Sequence, residues 1–216
     1  MYSLAEWQKL PKDDKKIIIN SSVPDGTDSW VPWTIGMCYN WIDAKENKDI
    51  NDILIGDHHN LVLCAINIHT DQNRRGSSSI TRKIISQTLA NNGIQNIQLE
   101  NKQYFETLAN YKFIISPEGN GIDCHRHYEA LMSGCIPIVE DSPLIRTKYK
   151  NLPVLYTKDY SEINSKYLNM IYQEMLNKTY NFSSLYYDHY PEFIQNIIKF
   201  NGVYWVKRLL AKQIKL

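Results

Sequence analysis

The sequence has no uninterrupted apolar run long enough to span a bilayer, so no transmembrane segment is expected. It also has almost no net charge: 24 Lys and Arg oppose 23 Asp and Glu, a formal +1. A chain without a field of either sign is not drawn to nucleic-acid phosphates or anionic lipid, and any phosphate it binds must be gripped locally. The opening stretch MYSLAEWQKLPKDDKK lacks the basic region, apolar core and small-residue cleavage site of a secretory signal, which sets the expectation of a cytoplasmic protein. The four cysteines, Cys38, Cys64, Cys124 and Cys135, form no CxxC pair and sit in apolar segments. They read as buried thiols in a reducing compartment rather than as disulfide or zinc ligands. Sequons begin at Asn20, Asn177 and Asn181, but without an export signal they are read as chance. No GxGxxG opens the first strand-helix turn, at His69 to Ser79, which disfavours a dinucleotide-dependent oxidoreductase.

From Leu61 onward, short apolar runs alternate with helical periodicity, the pattern of an α/β protein with a Rossmann-like parallel sheet. The runs Leu61 to Ile68, IQNIQL, KFIISPEG, IPIVE and PVLYT predict strands. Between them, ITRKIISQTLANNG predicts a helix with Ile80, Ile84, Ile85 and Leu89 inward and Gly93 at its end. QYFETLANY predicts a short helix burying Tyr104, Phe105 and Leu108, and DCHRHYEALMSG one capped by Asp123 and closed by Gly134. EINSKYLNMIYQEML predicts an amphipathic helix with Ile163, Tyr167, Leu168 and Ile171 on one side, and the tail after Pro191 packs back across the domain. Residues 1–60 are harder to read: IIIN and DILIGD suggest strands around a loop rich in Pro and Gly. They are expected to form a small lobe, with residues 61–216 as one Rossmann-like domain.

The chemistry is expected in SPEGNGIDCHRHYEALMSGCIPIVED. A strand running through a glycine turn into a helix start presents free backbone N–H groups and a positive dipole end at the carboxyl edge of the sheet, where an anion sits. Glu118, Gly119, Asn120 and Gly121 form that turn, the glycines permitting close backbone approach and Glu118 either touching sugar hydroxyls or staying solvated. Arg126 and Glu129, three apart on one helix face, aim a cation suited to a diphosphate and a carboxylate suited to a ribose diol at one ligand; the plainer reading is a surface ion pair.

This string, followed by NLPVLYTKDYSEI, resembles the donor-binding half of exostosin-like glycosyltransferases, in which an Arg-x-x-Glu-x-Leu core precedes Gly-Cys-Ile-Pro. The resemblance covers about Tyr111 to Ile163 and extends back toward Leu61. It implies a GT-B-like fold and inverting, metal-independent sugar transfer from a nucleotide diphosphate to an acceptor hydroxyl. No resident cofactor is implied, the nucleotide sugar being the donor substrate and a glycan or glycoconjugate the acceptor. It further implies that Glu129 holds the ribose and that Arg126 with the turn N–H groups holds the phosphates. Family members usually follow a membrane anchor and carry a larger amino-terminal domain, and about sixty residues stand in that place here. A nucleotide-sugar-binding module without transfer activity, or a subunit of a larger transferase assembly, is the alternative.

Other residues enter as candidates. Arg74 and Arg75, in the Ser-rich turn after the first strand, are placed to grip the diphosphate or are solvated, with Arg82 a third candidate. The general base is sought among Asp25, Asp28, Asp57, His58 and His69, with Asp57 and His58 preferred because they end a predicted strand. His125 is expected to donate to phosphate or to the nucleotide base. His125 and His127, two apart on a helix, face different directions and make a poor metal pair; Asp57-His58-His59 lacks ligand spacing, so no metal is expected. Trp30, Trp33, Tyr39 and Trp41 offer either a platform for an acceptor sugar or core filling, and Tyr186, Tyr187 and Tyr190 read as packing.

Overall fold

A computed structural model describes residues 1–9, 33–38, 40–41, 44, 58–76 and 78–201, with side chains to residue 198. IIIN and DILIGD, Asp25, Asp28, Asp57, Trp30, Tyr39 and the tail past residue 201 lie outside the described residues. The chain opens with β1 (Tyr2–Ser3) and α1 (Leu4–Lys9), and the main sheet starts at β2 (Asn60–Leu63). Two helices follow, α2 (Gln72–Arg75) and α3 (Arg82–Asn91), then α4 (Asn101–Leu108) and β3 (Tyr111–Ile115). After α5 (His125–Met132) come β4 (Ile136–Glu140), α6 (Pro143–Lys148), β5 (Leu155–Thr157), α7 (Ser165–Leu176), β6 (Thr179–Tyr180) and α8 (Glu192–Asn201).

Strands β2, β3, β4 and β5 form a parallel sheet in that order, with Val62 opposite Phe113, Phe113 opposite Ile136 and Ile138 opposite Leu155. Phe113, Ile114, Ile115, Ile136 and Ile138 are fully buried, as expected of strands covered on both faces by crossover helices. The fold is therefore α/β and Rossmann-like, as the periodicity predicts. Among the described residues, no helix is long and apolar enough to cross a membrane.

Three local expectations are corrected. IQNIQL contributes a single parallel bridge, Asn96 to Cys64, rather than a strand. The side-chain amide of Asn96 accepts from Ile66 N (2.8 Å) and donates to Ile66 O (2.9 Å), taking the groups that the next strand residue would have used. The run from Leu61 likewise leaves the ladder early, because Ala65 O accepts from Arg126 and Ile66 is held by Asn96. Helix α3 is rotated from its predicted face: Arg82, Ile85 and Leu89 are buried, while Ile80 and Ile84 are 42% and 41% exposed. Thr81 caps it by accepting from Ile84 N, and the inward turn of Arg82 sets the face.

The described parts of the first sixty residues pack into the same core as the sheet, through Leu4, Trp7, Met37, Trp41 and Ala44. Trp33 and Trp41 are 3% and 2% exposed, which makes both core filling rather than an open sugar platform. Strand β1 pairs antiparallel with β6, and Gln8 Nε2 donates to Gly134 O at 2.9 Å. Gly134 closes α5 with φ 78°, and a Cβ there would meet Gln8 Cγ at 2.9 Å and the His58 ring at 3.1 Å, so the close approach of α1 requires glycine. Tyr186, Tyr187 and Tyr190 are partly buried against the core, in line with packing.

Candidate functional site

Strand β2 is bridged on one side by the Asn96 segment and paired on the other with β3, so the chain leaves it in opposite directions. That is a topological switch point, where the loops beyond the strand ends part and leave a crevice. A cleft of about 490 Å³ lies there. The loop after β2 contributes Asn67 and Thr70 to its lining, α3 Arg82, α4 Asn101, Tyr104 and Phe105, and the segment after β3 Gly119 to Gly121, Asp123 to Arg126, and Glu129. Ile35, Cys38 and Asn40 complete it.

The structure thus brings Gly119, Asn120, Gly121, His125, Arg126 and Glu129 to one cleft. Glu129 is 4% exposed, and its Oε1 has no hydrogen-bond partner among the described residues. The same holds for the buried Tyr104 Oη. Arg126 sits with its guanidinium carbon 4.8 Å from the centre of the Tyr104 ring while donating to Ala65 O. The Cys38 thiol, beside the Glu129 carboxylate, is pushed well above its usual value by burial and then by that charge. Helix α5 begins after Cys124 with no side chain capping its first N–H groups, so its dipole end opens on the cleft.

Asp123 is not the cap that the sequence suggests. Its Oδ2 accepts from Lys148 Nζ at 2.7 Å and from Ile35 N at 3.3 Å, and its Oδ1 accepts from Tyr149 Oη at 2.7 Å. The carboxylate is held by three long-range donors and accepts from none of the first N–H groups of α5.

Arg74, Arg75 and Glu118 lie behind the turn rather than in the cleft lining. Arg74 pairs with Glu118 and donates to Gly119 O at 3.1 Å. Arg75 pairs with Asp71 (3.0 Å) and Glu140 (2.6 Å). Burial pushes the Glu140 carboxyl upward despite Arg75, and Glu140 also accepts from Glu118 N at 2.6 Å. Arg82 holds carbonyls: Pro117 O at 2.8 Å, Glu118 O at 2.7 Å and Asn67 O at 3.4 Å. A Cβ on Gly119 would stand 2.9 Å from Arg82 Nη2, so glycine is what lets the guanidinium reach the turn.

His58 stands before β2, at the amino edge of the sheet, whereas the cleft is at the carboxyl edge. It is 1% exposed, with Nε2 3.0 Å from Ser133 O at the far end of α5. The predicted strand that His58 would end, DILIGD, lies outside the described residues. His69 is exposed and accepts from Gln72 Nε2.

His127 points away from the cleft, with Nδ1 2.6 Å from Ser116 Oγ and Nε2 3.3 Å from Ile122 O. Since a carbonyl only accepts, Nε2 carries the proton and Nδ1 accepts from the serine hydroxyl. Burial depresses its folded value to about 4, from an ordinary 6.5. A group that is neutral when folded and ready to charge when unfolded gives stability at neutral pH that is lost as pH falls from 6.5 toward 4. The loss should approach about 3 kcal/mol below that window, seen as an acid fall in urea midpoint that His127→Gln flattens.

Sequence reasoning missed Asn67, Thr70, Asn101 and Cys38, and read Tyr104 only as an inward-packing residue. Asn67 and Thr70 follow the first strand and could have been found by applying the strand-end rule there too. Tyr104 carries no such signal, since in sequence its ring reads like any core aromatic.

Fold and cleft define a Rossmann-like domain with an anion-ready crevice at its switch point. The model of the RXYLT1 C-terminal domain matches residues 75–199, more than half the chain, and the chain belongs to that family. The family is related to the exostosin-like glycosyltransferases, and a glycosyltransferase-like role follows. The match spans the β3 turn and all of α5, including Arg126 and Glu129. No curated protein matches the chain.

Proposed function

We propose that the chain transfers a sugar from a nucleotide-diphosphate donor to an acceptor hydroxyl, with the donor in the cleft at the β2–β3 switch point. The observation that carries this is the convergence of Arg126, Glu129 and Tyr104 on one cleft, the last two each bearing a buried polar atom without a partner among the described residues. Buried polar groups find partners, and a ligand bearing hydroxyls supplies them. The Glu129 carboxylate suits a ribose diol, while Arg126 and the uncapped start of α5 suit the diphosphate.

In the reaction, the acceptor oxygen attacks the anomeric carbon from the face opposite the diphosphate. The bond from that carbon to the phosphate oxygen breaks, and its electron pair leaves on the diphosphate. The charge developing there meets Arg126 and the helix dipole, fixed charges that can serve without a metal ion. Residues 1–60 form the acceptor side in this reading, supported by the place of Ile35, Cys38 and Asn40 on the cleft wall.

Calorimetric titration with UDP-xylose, UDP-glucose, UDP-galactose, UDP-N-acetylglucosamine and GDP-fucose, with EDTA present, tests the reading. One of these should bind, and Glu129→Ala and Arg126→Ala should each weaken it by about 1.5–3 kcal/mol, a ten- to hundredfold loss. Unchanged affinity in both variants would sink the site. Binding that needs a divalent ion would overturn metal independence, and binding without turnover would make the chain a nucleotide-sugar-binding module.

A further inference from the structure

We propose that His125 is the general base that takes the proton from the acceptor hydroxyl. This rests on the transferase reading above and supplies the one group that it lacks. His125 Nδ1 lies 2.7 Å from Gly36 O. A carbonyl oxygen only accepts, so Nδ1 carries the hydrogen, and the neutral ring is fixed in the tautomer whose Nε2 holds a lone pair. Nε2 has no partner among the described residues, and the ring is half-buried in the cleft lining. In this tautomer the free Nε2 accepts rather than donates.

The other groups lining the cleft are committed or unsuited. Asp123 is committed to Lys148, Tyr149 and Ile35 N. The Cys38 thiol is pushed well up, and Cys124 up to about 11, both mainly by burial, so neither serves as a base near neutral pH. Glu129 lies one turn further along the same helix face, buried and beside Arg126, in the position of a donor contact. A donor held by Arg126 and Glu129 therefore has His125 one helical turn away at the start of α5, about 5 Å along the axis. In the step itself, Nε2 takes the hydroxyl proton as the oxygen bonds to the anomeric carbon. The leaving diphosphate carries off the electron pair, and the imidazolium then returns its proton to water.

Gly36 sits at φ 78°, a left-handed conformation that glycine adopts without cost. The base is thus oriented by a main-chain carbonyl of the Trp33–Cys38 segment, in the role that a carboxylate often takes beside a histidine.

The test uses the nucleotide sugar that the wild-type chain binds, with water in place of the acceptor and free sugar release as the rate. His125→Gln, which keeps an N–H for Gly36 O, should bind within about threefold of wild type yet release sugar at least about a hundredfold more slowly. Added imidazole should restore rate to His125→Ala. In parallel, ring nitrogen shifts of the free protein should show the Nδ1-protonated tautomer. Equal rates in wild type and His125→Gln overturn the assignment and leave the transferase reading standing. Affinity lost in step with rate also overturns it, making His125 a donor contact, as does an Nε2-protonated ring. No binding of any nucleotide sugar by the wild-type chain overturns the transferase reading, and this assignment with it.

Discussion

Lys148→Met is expected to destabilise the protein by about 3–5 kcal/mol, because it strands the buried carboxylate of Asp123. The two side chains are 3% and 8% exposed and meet at 2.7 Å. With the ammonium gone, Asp123 keeps, among the described residues, the Tyr149 hydroxyl and Ile35 N, two neutral donors against a full charge. The urea midpoint should fall with little change in slope. Asp123→Asn combined with Lys148→Met should recover much of the loss, since an amide needs no countercharge and its oxygen can still accept from one of the two remaining donors. A single variant as stable as wild type would mean that water reaches the pair. The consequence extends to the cleft: Asp123 lines it and ties the Trp33–Cys38 segment to the start of α5, so the site should loosen with the fold.

Trp7→Ala should cost a similar amount, about 3–5 kcal/mol. The indole is 2% exposed, stacks on Phe182 with centroids 4.0 Å apart and planes 7° apart, and donates from Nε1 to Leu131 O at 2.9 Å. Truncation therefore opens a cavity and at once removes one donor from Leu131 O, which keeps Gly134 N at 3.1 Å. Trp7→Phe keeps the stack and should lose only about 1 kcal/mol for the hydrogen bond. Thermal unfolding of both variants checks this. Near-equal stability of Trp7→Ala and wild type would show that α1 docks without contributing.

Much of the sheet is legible in the sequence because its signals are local. IPIVE matches β4 residue for residue, and Gly134 marks the end of α5 with the left-handed turn expected of it. The gathering of Gly119 to Gly121, Arg126 and Glu129 follows from spacing on one helix start. What escapes reading depends on partners far along the chain. Asp123 looks like a cap until Lys148, 25 residues on, takes its carboxylate. Asn96 looks like a strand residue, but its side chain acts as main chain toward Ile66. Arg74, Arg75 and Arg82 look free for phosphate because sequence gives no sign of which backbone carbonyls a loop will turn toward them.

Arg82 reaches Asn67 O beyond β2 and both Pro117 O and Glu118 O beyond β3. A planar guanidinium with donors in a fixed fork acts here as a spacer between the two loops that flank the cleft. The width of the mouth on that side is then set at folding, by the dimensions of one side chain. A ligand entering there meets walls whose ordering entropy has already been spent.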